Sequence, residues 1–192
     1  MTEKSGITSQ VIKFPKVKEI SLIGILAAIN IASRLALQFL PNIKPVTAII
    51  ILSVMLFGLA FGIKLTIVTT IVSDVFLGLG LWTVFQILAW VVVCLLTAMI
   101  MIPFRRKNTM PKLVPMAVFS AAMGFVFGFV VSFEQFCYGG LALFIPYYIA
   151  GLTFDCLHAG GNFAFYLICA PILMKVMEKE ARKLSRNQSM LK

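Results

Sequence analysis

Read as a pattern of apolar and polar positions, the chain is a succession of long hydrophobic runs separated by short polar or basic breaks. The runs fall at about 20–40, 46–60, 63–80, 83–103, 113–135 and 147–177, and a bilayer is crossed by ~20 apolar residues rising 1.5 Å each. The second run is short, and only Gly58, Gly62 and Lys64 mark a turn between it and the third. The pattern predicts an all-α membrane protein: one bundle of six transmembrane helices over residues 1–192, with basic cytoplasmic tails at 1–18 and 179–192.

Composition fixes the solvent. Of 192 residues, 60% are hydrophobic and 12% charged, and the mean hydropathy is +1.00, more apolar surface than a water-soluble fold could hide. The opening stretch MTEKSGITSQVIKFPKVKEI is polar and basic, with no apolar h-region or small-residue cleavage site, so no signal peptide is expected and helix one itself directs insertion.

The net charge of +10 raises nucleic acid as a partner, but the placement of the charge points to lipid instead. Lys4, Lys13, Lys16 and Lys18 precede helix one, Lys64 lies between helices two and three, and Arg105, Arg106, Lys107 and Lys112 lie between four and five. Lys175, Lys179, Arg182, Lys183, Arg186 and Lys192 end the chain, so of seventeen basic residues only Arg34 and Lys44 fall elsewhere. Since Lys and Arg are retained in the cytoplasm, an even number of spans with both termini inside is expected, in the cell membrane, with the clusters facing anionic lipid.

Cys94, Cys137, Cys156 and Cys169 show no CxxC spacing and sit mostly in apolar runs, where a reduced thiol behaves as a small hydrophobe; only a Cys137 to Cys156 bridge is left open. His158 is the single histidine, which removes multi-histidine metal sites, so no metal or cofactor is expected on this chain.

Ionisable groups inside a bilayer are costly and mark function when they persist. Here Arg34, Asp74, Glu134, Asp155 and His158 all fall toward the outer ends of their helices. Asn42 and Lys44 in the first outer loop, Trp82, Phe85 and Gln86 at the start of helix four, and Tyr147 and Tyr148 before helix six join them. The inner half holds little comparable, which suits a pocket open to the outside better than a continuous channel. Asp155, His158 and Asn162, three and four apart, share one helix face, as ligand contacts or as interhelical hydrogen bonds; Arg34 and Asp74 can equally neutralise each other. The candidate substrate-binding set is Arg34, Asn42, Lys44, Trp82, Phe85, Gln86, Tyr147, Tyr148, Asp155, His158 and Asn162. No catalytic residue is assigned: there is no Gly-x-Ser-x-Gly and no Walker loop, and Asp74, Asp155 or His158 would serve only the rival reading of a small membrane enzyme.

In helix one, SLIGILAAINIASRLALQFL, Gly24, Ala28, Ala32 and Ala36 recur every four residues and form a smooth ridge, a face for close helix packing inside the bundle or against a partner.

The Ala-x-x-x-Ala ridge, the polar outer half, the loop PNIKPVTAIIIL with Asn42, Lys44, Pro45 and Thr47, and the LWTVFQILAW segment with Trp82, Thr83, Gln86 and Trp90 carry a resemblance. Over about residues 15–178 the chain resembles the substrate-binding S components of energy-coupling factor (ECF) vitamin transporters. The resemblance implies capture of a vitamin at the outer face and docking through Gly24, Ala28, Ala32 and Ala36 on a transmembrane coupling protein. Two cytoplasmic ATPases, which carry the ATP and Mg, would drive toppling in the membrane. It also implies loops 41–46, 78–83 and 136–147 closing over the ligand, with Gly78, Gly80, Gly139 and Gly140 lending them mobility. The loop and helix-four text looks most like cobalamin-associated members, with a queuosine precursor, pantothenate or another small vitamin as alternatives. For His158, hydrogen bonding is expected over cobalt coordination.

Overall fold

A computed structural model of the chain describes residues 11, 12 and 14–189, and at 177, 178 and 180–189 the backbone only. Lys4, Lys13 and Lys192, with the side chains of Arg182, Lys183 and Arg186, lie outside the described residues. Six helices follow one another: α1 (Lys16–Ala36), α2 (Val46–Phe57), α3 (Leu59–Leu77), α4 (Leu81–Arg106), α5 (Leu113–Gly139) and α6 (Leu141–Ser189). No strand is present among the described residues.

The bundle is organised around its shortest helix. All 12 residues of α2 are buried, and α2 packs against each of the other five helices, while α1 and α6 do not touch. A helix apolar on every side belongs inside a bundle, and Ile50, Ile51, Leu52, Leu56, Val46 and Val54 fill its interior. At 1.5 Å per residue α2 reaches only ~18 Å, short of the ~30 Å hydrocarbon core. The five helices long and apolar enough to cross a membrane are α1, α3, α4, α5 and the Leu141–Val176 part of α6. The expected six spans are therefore five long helices and one buried strut.

A short helix inside a bundle exposes backbone carbonyls to an apolar setting, and these are satisfied here. The Ile12 amide donates to the Leu56 carbonyl at 2.9 Å, and the Arg105 guanidinium donates to the Val54 carbonyl at 3.1 Å. The α2–α3 break falls at Gly58 alone, with φ +90° and ψ 171°, a conformation reserved for glycine. Gly62, expected in the turn, lies in α3, where a Cβ would run into the Val54 side chain.

Four other expectations change. Residues 136–147 form no loop: Gly140, at φ +60°, is the whole connection between α5 and α6, so Tyr147 and Tyr148 lie within α6 rather than before it. The third loop shrinks to 78–80. The tails are partly helical, since Lys16 and Lys18 open α1 and α6 continues to Ser189. All four cysteines are free, which removes the Cys137 to Cys156 bridge.

The α5–α6 hairpin is closed by small residues spaced four apart, Ser120, Gly124, Gly128 and Ser132. A Cβ on Gly124 would sit 2.8 Å from the Ala159 amide nitrogen, and one on Gly128 would collide with the Asp155 carboxyl group. This stripe was legible as small-x-x-x-small spacing.

Gly58→Ala is expected to lower stability by about 1–3 kcal/mol, the cost of forcing a side chain into that backbone region. Gly160→Ala, with open space around the new Cβ, should instead gain about 0.5–1 kcal/mol. Unfolding of the detergent-solubilised variants checks both.

Candidate functional site

Arg34 lies near the C-terminal end of α1, buried at 5% exposure. A guanidinium there must be neutralised and hydrogen-bonded or it destabilises the bundle. Its Nη2 lies 3.0 Å from the Asp74 carboxylate of α3, which is also fully buried. Nη1 donates to Ser73 Oγ and Nη2 to Gln86 Oε1, each at 2.7 Å, and the guanidinium carbon sits 5.3 Å from the Trp90 ring. Asp74 acts on the guanidinium chiefly through its charge. One residue of α1 is thus tied to α3 and α4 together.

Beside this cluster runs a hydrogen-bonded chain. Trp90 Nε1 donates to Thr47 Oγ1 at 3.0 Å, and Thr47 Oγ1 lies 3.0 Å from His158 Nε2. While accepting from Trp90, the Thr47 hydroxyl keeps one proton and one further lone pair, so it bridges to Nε2 in either imidazole tautomer. Nδ1 is buried without a partner among the described residues. Phe127 of α5 packs on both rings, 4.8 Å from Trp90 and 5.0 Å from His158 between centroids.

These groups wall two cavities at the end of the bundle where α1 and α3 finish and α2 and α4 begin. The first, about 270 Å³, takes Arg34, Asn42, Lys44, Trp82, Gln86 and His158 from the predicted set, together with Gln38, Leu77, Trp90 and Phe127. The second, about 450 Å³, is more apolar and takes Asn42, Trp82, Gln86, Tyr147 and Asp155, with Phe127, Val131 and Phe154. Asn42, Trp82, Gln86 and Phe127 belong to both.

Lys44, in the segment between α1 and α2, has no carboxylate within ion-pair reach among the described residues. Burial, with the positive charge of Arg34 behind it, holds its ammonium below the usual lysine range. Asp155 is 4% exposed and its Oδ2 has no partner among the described residues.

Eight of the predicted residues therefore converge on the two cavities. Phe85, Tyr148 and Asn162 lie outside both linings. Tyr148 joins an aromatic cluster with Phe129 and Phe144, and Asn162 is fully buried deeper along α6 with both amide atoms unpartnered. Sequence reasoning missed Phe127, whose type does not distinguish a cavity wall from a lipid-facing position, and it did not place Thr47 or Trp90 in the site. Glu134 lies 3.5 Å from the Tyr138 hydroxyl and lines neither cavity. No group of metal-ligating side chains occurs among the described residues.

Arg34→Ala or Asp74→Ala is expected to destabilise the protein by about 3–5 kcal/mol, because each strands a buried charge. Replacing both together by apolar residues should recover part of the loss. Thermal unfolding of the two single variants and the double variant measures this.

No protein-family model matches the chain, and neither a curated protein nor a solved structure is significantly similar to it.

Proposed function

We propose that this chain is the substrate-binding subunit of an ECF-type ABC transporter, capturing a vitamin-class solute for uptake and performing no covalent chemistry. The observation that carries this reading is the two-faced character of α1. Gly24, Ala28, Ala32 and Ala36 are all exposed, on the side of the helix away from buried Asn30 and Arg34. A helix that gives one face to a polar cavity and leaves a smooth apolar ridge uncovered on the other suits a subunit that binds a solute and docks in lipid on a coupling protein.

The charge pattern supports the orientation. Lys16, Lys18, Lys64, Arg105, Arg106, Lys107 and Lys112 lie at the end of the bundle opposite the cavities, which, with basic residues retained in the cytoplasm, favours a reading with both termini inside and the cavities toward the exterior. ATP and Mg belong to partner ATPases, with this chain embedded in the cell membrane. Among the substrates implied by the resemblance, cobalamin is the first choice. A queuosine precursor, pantothenate or another small vitamin is the alternative, and cavities of about 270 and 450 Å³ are of the size that small-molecule sites have.

Proteoliposomes carrying the chain with a coupling protein and two ATPases should accumulate substrate only when ATP is supplied. Ala32→Trp should abolish copurification with the coupling protein and leave substrate binding by the isolated chain within about twofold, since its side chain points away from the cavities. Full accumulation by this chain alone, without ATP, would overturn the proposal.

A further inference from the structure

The two cavities share four lining residues, and their remaining walls differ in charge. In the first, Arg34 is already matched by Asp74, so the uncompensated group is the Lys44 ammonium, with His158, whose Nδ1 has no partner among the described residues, in the same lining. In the second, the uncompensated group is the Asp155 carboxyl, pressed against Gly128 with Oδ2 unpartnered. Lys44 is half-buried, while Asp155 and His158 are buried, and polar atoms buried and left open are costly unless something occupies the space they border. At the junction stand two aromatic side chains, Trp82 and Phe127, and two amides, Asn42 and Gln86. Rings accept the flat face of a ligand and amides its polar edge.

We propose that the two cavities form one site for a single drug-sized molecule, with an acidic group at Lys44, a planar polar-edged unit between Trp82 and Phe127, and an N–H donor at Asp155. The size follows from cavities of about 270 and 450 Å³, which together fall within the ~300–1,000 Å³ typical of sites for such ligands. The polarity follows from the separation of the two uncompensated groups, one in each cavity. Either charge alone in the ligand would leave the opposite wall unsatisfied. This assignment rests on the reading of the cavities as the substrate site, and it makes that substrate a small amphoteric compound.

Both tryptophans of the chain, Trp82 and Trp90, line the first cavity, so intrinsic fluorescence reports its occupancy. The protein in nanodiscs is titrated with para-aminoalkyl benzoates of increasing chain length, with their methyl esters, with the des-amino acids and with cyanocobalamin. At least one amino acid of the series should change the emission saturably, and esterification or loss of the amine should each weaken it about tenfold or more. Lys44→Met should erase the preference for acid over ester and leave the preference for amine, while Asp155→Asn should do the reverse. The wild-type comparison needs no variant, so misfolding of either substitution leaves the test intact. The inference is overturned if no member binds saturably, if acid and ester bind alike, or if cyanocobalamin alone saturates. Coupling proteins and ATP take no part in the titration, so failure here leaves the transport proposal standing on its uptake assay, and failure there leaves this one.

Discussion

The structure depends on how the guanidinium of Arg34 is kept inside an apolar bundle. A charge at that depth is tolerated only with a counter-charge and hydrogen-bond acceptors in place, and these come from Asp74 and Ser73 of α3 and Gln86 of α4. Asp74 and Ser73 lie on α3, which packs against α1, and Gln86 lies on α4, which does not, so the Arg34 side chain links the depth of α4 to that of α1 and α3 across the gap. Two members of that cluster, Arg34 and Gln86, also line the first cavity. Neutralising the charge and building the pocket are therefore one structural event, in which Asp74 supplies charge from behind while Gln86 faces both Arg34 and the cavity.

Much of the fold could be read from the chain because hydropathy reports removal from water. It does not report whether the apolar neighbour is lipid or protein, since both solvate a leucine equally well. That is why α2 was recognisable as an apolar segment while its role as the central strut was not. Its shortness was the available clue, and it becomes intelligible once the Ile12 amide and Arg105 are seen satisfying its C-terminal carbonyls. The break beside it was bracketed by Gly58, Gly62 and Lys64, but choosing among them needed backbone geometry: Gly58 is required for its positive φ, and Gly62 for the close approach of α2 and α3. The α5–α6 connection was misjudged for a related reason. Gly139 and Gly140 resemble the start of a mobile loop, yet one glycine suffices to reverse the chain when Ser120, Gly124, Gly128 and Ser132 let the two helices lie together.

The site was legible where it is polar. Arg34, Asn42, Lys44, Gln86, Asp155 and His158 stand out in an apolar chain, and all six reach the cavities. Aromatic walls carry no such signal: Phe127 and Trp90 could as well face acyl chains, and the prediction of Phe85 and Tyr148 shows the same ambiguity in the opposite direction. Asn162 marks the limit of the periodicity argument. It does share a helix face with Asp155 and His158, but the face runs along the bundle axis, and a site at one end takes only the residues near that end.

The two faces of α1 bear on how a solute could be sensed by a membrane partner. Successive helical residues are offset by about 100°, so Ala32 and Ala36 project away from Arg34 while lying within half a turn or so of it along the axis. In the transport reading, the outward ridge meets the coupling protein and Arg34 meets the cavity, and no flexible segment separates them. An acidic ligand group drawn to Lys44 enters the field of the neighbouring guanidinium and competes with Asp74 for it. Any resulting shift of Arg34 is borne by the helix that carries the ridge, because the side chain is gripped at its tip by α3 and α4. In that reading a ligand without the charge would fill the cavity and leave the grip on α1 unchanged, and the charge of the solute, beyond its size, would decide whether occupancy is felt at the ridge.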